Sequence, residues 1–390
     1  MAERLAHHVY SVAQARRLAR RALPAPVFNF VDGGAEDEVT LRANEAAFAA
    51  IELVPCPLNG TTTRDQRLRL FGRELAMPLV VGPTGLAGLL WPDGELVTAR
   101  AAAAAGVPYC LSHGSTCTIE ELAATGAAPR WMQVFMFTDR GLTRAMTERA
   151  QAAGYDALVL TIDNQALGNR ERDIRNGFSI PPRLTLTTLV GMAARPGWLW
   201  RMRGRTVGFA NYASVGGDLR AIAARVAGLL DPTASWQDVG WLRRLWNGPL
   251  LLKGVLHPEE ARRAVAEGID GIVVSNHGGR QLDGAVASAR ALPMVVAAVA
   301  GRVPVLIDGG VRRGVDIARA LALGATACLI GRPHLWGLAL GGQAGVAAVI
   351  DAYRRELDRV MALGGWDRLA AIDGTALAVT APPTDRHQAA

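Results

Sequence analysis

The sequence predicts an α/β fold, a TIM-type (β/α)8 barrel, on three observations. From residue 77 onward, a short β-branched apolar run, a polar or glycine tip and an alanine-rich stretch recur eight times. The runs are continuous and not alternating, which marks strands buried on both faces of a parallel sheet covered by helices. A doubly wound open sheet is the competing architecture, but eight parallel units without an early GxGxxG turn argue against it.

In chain order, residues 1 to about 76 hold a basic helix, VAQARRLARRAL, and a loop-rich stretch expected to cover the bottom or side of the barrel. The eight strand runs are MPLVVGPTG (77–85), VPYCLSHG (107–114), RWMQVFMF (130–137), DALVLTID (156–163), PLLLKGV (249–255), GIVVSNHG (271–278), VPVLIDGG (303–310) and ACLIGRP (327–333). Between them, GELVTARAAAAAG, PEEARRAVAEG and GVDIARALALG keep apolar residues at helical spacing and close on a glycine. Residues 181 to about 245 form an insertion after the fourth strand, far longer than such a connection needs, and are expected to act as a lid or contact surface. The barrel is read as one domain over residues 1–376, with a tail at 377–390.

Half of the 390 residues are apolar and one fifth are charged, which excludes a disordered chain. Four cysteines lacking CxxC spacing argue against a zinc site or disulfide framework, so no metal is expected and a reducing cytoplasm fits. No secretory signal is expected from MAERLAHHVYS, and no run of 18 apolar residues suggests a membrane span. The net charge of +7 comes from arginines spread along helices, without a nucleic-acid motif. Attraction to anionic metabolites or a lipid surface explains it better than nucleic acid.

In a (β/α)8 barrel the C-terminal strand ends converge on one mouth. Here those ends bring together Pro83, Thr84, Gly85, Ser112, His113, Gln133, Phe135, Thr161, Asp163, Lys253, Ser275, His277, Asp308, Gly309, Gly331 and Arg332. DGGVRRG and IGRP, after strands seven and eight, combine glycine turns at helix starts with Arg312 and Arg332. Backbone N–H groups and guanidinium forks at that place suit a phosphate; a pair of ordinary tight turns is the bland alternative. Lys253 ends a buried strand and needs an anion, supplied by a ligand or by a structural pair with Asp163 or Asp308. His277 beside Asp163 reads as a base with an orienting carboxylate that raises the imidazole pKa, against the alternative of a core histidine. Arg280 and Arg170, the latter in LGNRERDIRNGF, are candidates for gripping a substrate carboxylate.

At these residues the sequence resembles the FMN-dependent (S)-2-hydroxy acid dehydrogenase and oxidase family, which includes glycolate oxidase, L-lactate dehydrogenase and (S)-mandelate dehydrogenase. SNHGGRQLDG, DGGVRRG, LVLTID, LLKGV, FVDGGAEDE and GPTGLAG carry the resemblance, over about residues 10 to 370. It implies FMN across the mouth, with the phosphate on Gly309, Arg312, Gly331 and Arg332. The isoalloxazine would contact Pro83 to Gly85, Ser112, Gln133, Thr161 and Lys253, with Ser275 and Asp308 also counted as cofactor contacts. It further implies that His277 takes a proton from a 2-hydroxy acid while the flavin takes two electrons, and that O2 or a quinone reoxidises the flavin.

The family places two substrate-contacting tyrosines where this chain has Phe30 and Phe135. Either another donor such as His113 compensates, or the pocket serves a larger or less polar substrate as an oxidase or monooxygenase. A flavin-binding protein without catalysis is a third reading, disfavoured by the retained His277, Arg280, Asp163 and Lys253. In the insertion, RPGWLWRMRGRTVGF sets Trp198, Trp200 and Phe209 among Arg195, Arg201, Arg203 and Arg205. Residues 190–209 are therefore a candidate for peripheral contact with an anionic membrane, at the inner face of the cell membrane, or for packing on the barrel. The resemblance also implies a homo-oligomer, a tetramer.

Overall fold

In the computed structural model, the described residues are 9–60, 62–176, 191, 193–205, 207–215 and 228–378. The eight predicted runs form eight parallel strands: β3 (Leu79–Val81), β4 (Tyr109–Leu111), β5 (Arg130–Val134), β6 (Ala157–Thr161), β7 (Leu250–Val255), β8 (Gly271–Val274), β9 (Val305–Ile307) and β10 (Ala327–Ile330). They hydrogen-bond in sequence order, and β10 closes on β3. Successive strand residues serve two cores. Val80, Cys110, Trp131, Val159, Leu251, Val273, Leu306 and Leu329 fill the barrel interior, while neighbours such as Leu79, Leu158, Leu252 and Ile272 pack outward under the helices. Both faces are buried, which is why the runs read as continuous.

The stretch expected to be only a covering loop contains a hairpin, β1 (Leu68–Leu70) paired with β2 (Arg73–Leu75). Its Leu70 and Leu75 join the interior core, and the Phe71 ring meets Trp131, at the start of β5, with 5.8 Å between centroids. At the start of β8, a side chain on Gly271 would come within 2.9 Å of that phenylalanine. The hairpin therefore plugs the N-terminal end of the barrel, leaving the opposite end as the mouth.

Among the described residues three helices precede the hairpin: α1 (Val12–Ala22), α2 (Ala25–Asp32) and α3 (Val39–Ala49). On α1 the buried Val12, Ala15 and Ala19 share one face at helical spacing, and the Ser11 hydroxyl caps the first turn by accepting from the Gln14 N–H at 3.2 Å. The other described α-helices are α4 (Gly94–Ala104), α5 (Ile119–Ala124), α6 (Arg140–Ala152), α7 (Glu171–Arg175), α8 (Pro196–Met202), α9 (Trp236–Leu245), α10 (Pro258–Ala266), α11 (Ser288–Val299), α12 (Gly314–Ala322) and α13 (Arg332–Gly364). Among the described residues only α13 is long and apolar enough to cross a membrane. Yet 72% of that window is buried, and the helix is broken at Gly341 and Gly342 and packs on α1 and α4.

The insertion begins outside the described residues, as does most of the tail from residue 379 on. Where described, much of it rests on the barrel. Buried Trp198 donates its indole N–H to the Leu89 carbonyl at 2.9 Å, and Arg201 stacks over Trp91 at 4.8 Å. The membrane expectation for Trp198 is thus replaced by packing, while Trp200 stays 78% exposed.

Two long-range contacts seat α3 over the mouth. Asn44 and Asn276 exchange reciprocal amide hydrogen bonds at 2.8 Å in a buried site. The Asp283 carboxylate accepts the free N–H groups of Val39 and Thr40, at 3.1 and 2.8 Å, and so caps α3 from a segment 243 residues away. Burial raises the Asp283 pKa, but these backbone donors outweigh it and hold the group below its ordinary value. Asp283→Ala should lower stability by about 0.5–2 kcal/mol, read from urea denaturation at neutral pH. Because the folded pKa is depressed, the contribution is present above the unfolded pKa. The difference from wild type should shrink as pH falls through the folded value.

Candidate active site

The C-terminal ends of the strands enclose a cavity of about 800 Å³. Pro83, Thr84, Gly85, Ser112, His113, Gln133, Phe135, Thr161, Lys253, His277, Arg280, Asp308, Gly309, Arg312, Gly331 and Arg332 all line it, joined by Phe30 from α2 and by Arg170 just before α7. Two predicted residues do not reach the wall. Asp163 lies behind His277, and Ser275 is fully buried beneath, accepting from Lys253 Nζ and the His277 backbone N–H, both at 3.0 Å. Ser275 is therefore a strut between the two groups instead of a cavity-lining contact: as the first residue after β8 it points inward, and the next turn carries His277 out.

His277 sits at φ +57°, a backbone conformation few non-glycine residues adopt, and the neighbouring Gly278 and Gly279 also have positive φ. This tight left-handed turn aims the ring at Asp163, with Nδ1 2.9 Å from Oδ1. Burial raises the Asp163 pKa, but His277 and then Lys253 outweigh it, so the carboxyl stays ionised. Nδ1 must then donate, leaving Nε2 as the lone-pair nitrogen. The net shift at His277 runs against the expectation. Burial lowers its pKa more than Asp163 raises it, with Lys253 adding to the lowering, so the ring is neutral at physiological pH.

Lys253 is buried with its ammonium 3.2 Å from Asp308 Oδ2. Burial pulls its pKa down, but Asp308 and Asp163 more than offset this and keep it charged. The arginines are less well served. Arg280 donates to the carbonyls of Phe30 and Gly33 at 2.9 and 2.8 Å, and its guanidinium lies 5.5 Å over the Phe30 ring. Arg332 donates to the carbonyls of Gly278 and Gly33, at 2.9 and 2.8 Å. Arg170 has an unpartnered buried Nε, as does Arg332. Among the described residues, none of the three has a carboxylate within salt-bridge distance. Burial, reinforced at Arg280 by Arg170 and Arg332, lowers all three pKa values, to about 10 for Arg332. Guanidinium groups stay charged at neutral pH, so the cavity holds positive charge that lacks its anions.

Those anions fit two ends of the cavity. At one, Gly309 and Gly310 have φ of +84° and +94°, and a side chain on Gly310 would fall 2.4 Å from the Asn44 carbonyl. Their backbone, the start of α13 after Gly331, and Arg332 make a phosphate cradle; Arg312 beside it is 3.0 Å from Glu45. Along the wall between, Gln133 turns its oxygen toward Ser112 Oγ and the His113 N–H, both at 3.3 Å, leaving Nε2 without a partner; Thr161 Oγ1 and Asp308 Oδ1 are likewise unpartnered. Orphaned polar atoms, a fixed cation and a glycine cradle fit a phosphorylated, heteroatom-rich planar cofactor. At the other end, His277, Arg280 and Arg170 face the remaining space.

Sequence reasoning missed Asn164, Leu167, Asp173, Gln281 and Leu230 on the wall, and left Phe209 open between a membrane face and packing on the barrel, whereas it lines the cavity against Gly114. All but Asp173, which sits in the short helix α7, lie in irregular segments, where no period announces direction. His113 and Phe135 stack with 4.3 Å between ring centroids, and His113 Nδ1 is hydrogen-bonded to the Tyr212 hydroxyl. Among the described residues no cluster of three or more His, Cys, Asp or Glu is arranged to hold a metal ion.

A (β/α)8 barrel with a phosphate cradle after its last two strands, and a histidine–carboxylate pair beside it, defines a cofactor-dependent oxidoreductase architecture. Residues 19–379 match the family model described as FMN-dependent dehydrogenase. An L-lactate dehydrogenase of Caulobacter sp. (strain K31) is 43% identical over 95% of this chain and 99% of that protein. An L-lactate oxidase of Nostoc sp. is 46% identical over 92% of this chain and 94% of that protein. The solved structure of the monotopic membrane protein (S)-mandelate dehydrogenase superposes with a TM-score of 0.92 at 38% identity, covering 95% of this chain and 99% of the other. A mandelate oxidase structure superposes at 0.82, 39% identical, over 94% and 97%. The chain belongs to the FMN-dependent dehydrogenase family, and its cofactor is FMN.

Removing the Arg332 guanidinium takes away a charge-assisted hydrogen bond to phosphate, worth about 1.5–3 kcal/mol. Arg332→Ala should therefore weaken FMN binding about tenfold or more, measured by quenching of flavin fluorescence on titrating apoprotein.

Proposed function

We propose that this enzyme oxidises an (S)-2-hydroxy acid to the corresponding 2-keto acid, with His277 as the base. One observation carries the reading: a neutral imidazole oriented by a half-buried carboxylate shares its cavity with two half-buried guanidinium groups that have no carboxylate partner among the described residues. The names of the relatives, lactate and mandelate dehydrogenases and oxidases, support the same substrate class.

FMN supplies a two-electron acceptor when bound; Gly309, Gly331, Arg312 and Arg332 hold its phosphate, and Pro83 to Gly85, Ser112, Gln133, Thr161 and Lys253 its ring. Arg280 and Arg170 hold the substrate carboxylate, which supplies the missing negative charge. His277 Nε2 takes the proton that leaves the substrate, and Asp163 stabilises the imidazolium formed. Lys253 keeps a fixed positive charge in a dry wall of the site, where it favours negative charge developing nearby. Phe30 and Phe135 close the remaining side without a hydroxyl. The final acceptor is O2 or a quinone, both consistent with relatives named oxidase and dehydrogenase. Exposed Trp200 beside Arg201, Arg203 and Arg205 supports peripheral attachment to the inner face of a membrane, a reading favoured by the monotopic neighbour.

Anaerobic addition of aliphatic and aromatic (S)-2-hydroxy acids should bleach the flavin, and loss of all bleaching would overturn the proposal. His277→Gln should retain flavin but lower kcat/KM by about 10²–10⁴-fold. The base must be neutral and its pKa is depressed below 6.5 by burial. Activity should hold through neutral pH and fall only as pH drops through that lower value. In Asp163→Asn the acid limb should move lower still, since the group that raises the pKa is gone, while kcat falls.

A further inference from the structure

The cavity wall at the end of β4 holds a polar side chain that the proposed reaction does not use. His113, at the end of β4, is buried among Phe135, Phe137 and Tyr212, with ring centroids 4.3, 5.8 and 5.9 Å away. Phe209 extends this aromatic cluster, 6.0 Å from Tyr212, and like Leu230 and Leu167 it lines the cavity. Tyr212 comes from the insertion, so two distant parts of the chain meet here.

The hydrogen bonds of this pair decide which atom faces the cavity. His113 Nδ1 is bonded to the Tyr212 hydroxyl. Burial holds the imidazole pKa down at about 3, with His277 adding to the lowering, and burial raises the tyrosine pKa, so both groups are neutral. Tyr212 is fully buried and its hydroxyl has no other acceptor among the described residues. If Nδ1 carried the proton, the tyrosine O–H would be stranded, at the cost of an unsatisfied buried donor. The tyrosine therefore donates to Nδ1, which places the ring proton on Nε2. No described residue accepts from that Nε2–H, and it is not among the fully buried unpartnered atoms, while His113 lines the cavity.

We propose that His113 and Tyr212 form a neutral specificity dyad, in which His113 Nε2–H reads a hydrogen-bond acceptor on the α-substituent of the substrate. Building on the 2-hydroxy acid reading above, it narrows the substrate class. The favoured acid carries a bulky, largely apolar α-substituent that lies along Phe135, Phe209 and Leu230, with one carbonyl, ether or hydroxyl oxygen reaching His113. A neutral donor in an otherwise apolar wall penalises an isosteric hydrocarbon, because binding it leaves the donor desolvated and unpaired. A small aliphatic acid such as lactate reaches neither group.

The test uses the FMN-loaded enzyme and pairs of near-isosteric (S)-mandelates, 3- and 4-methoxy against 3- and 4-ethyl, read as anaerobic flavin bleaching and kcat/KM. Wild type should favour one methoxy compound over its ethyl partner by about three- to tenfold, the worth of one net hydrogen bond. His113→Phe should bring that ratio to about one while still bleaching with the ethyl compound. Tyr212→Phe, which removes a single hydroxyl, frees the ring to protonate Nδ1 and should reduce the ratio without emptying the flavin site. Bleaching by the ethyl acids with no methoxy preference in wild type overturns the dyad and leaves 2-hydroxy acid oxidation standing. A preference unchanged in both variants does the same. Failure of every acid to bleach the flavin overturns both proposals.

Discussion

Uncompensated positive charge is the constraint around which the mouth of this barrel is built. Arg280, Arg170 and Arg332 are half-buried and, among the described residues, have backbone carbonyls or no partner where carboxylates would ordinarily stand, and Lys253 has Asp308 beside it. An isolated charge in such a place is costly. The cavity therefore favours ligands that bring their own negative charge, a phosphate at one end and a carboxylate at the other. Burial lowers the pKa of His277, and Lys253 and Arg170 add to the lowering, so the ring stays neutral beside these cations.

Holding those cations in place falls to elements remote in sequence. Gly33, just after α2, gives its carbonyl to both Arg280 and Arg332, so a single backbone oxygen ties the substrate end to the phosphate end. Asp283 caps α3, and Asn44 pairs with Asn276, one residue before the base. The N-terminal segment is accordingly part of the site. A loosened α3 would release the glycine cradle through Gly310, which closely approaches Asn44, along with the turn that carries His277.

The barrel and most of its mouth were legible in the sequence because strand burial imposes a continuous apolar run and barrel topology sends every strand end to one place. That logic leads to His277, Lys253, Arg280 and Arg332, which line the cavity, and to Asp163, which lies behind His277. Ser275 was placed on the wall by the same logic and lies beneath it, because a left-handed turn intervenes and no periodicity extends through it. Tyr212 and the inward face of Phe209 were not legible at all: the insertion has no repeating pattern, so the side of each aromatic is settled only by tertiary packing. The hairpin plug escaped for another reason, since its strands are three residues each, too short to show alternation. The direction of the His277 shift also required the structure, because burial and the carboxylate act in opposite senses and only geometry tells which is larger.

Phe30 and Phe135 take their meaning from this arrangement. The Phe30 ring lies under the Arg280 guanidinium and its carbonyl accepts from it, so the residue supports that guanidinium without contributing a hydroxyl of its own. Phe135 supports His113 in a comparable way, ring against ring. Both aromatics hold a donor that belongs to another segment. Hydrogen bonding has thus moved outward from the phenylalanine positions, to a charged group on one side and a neutral one on the other. Every 2-hydroxy acid shares the carboxylate, so discrimination between such acids falls to the rest of the cavity wall, where Phe135, Phe209 and Leu230 set the shape and His113 presents one neutral N–H.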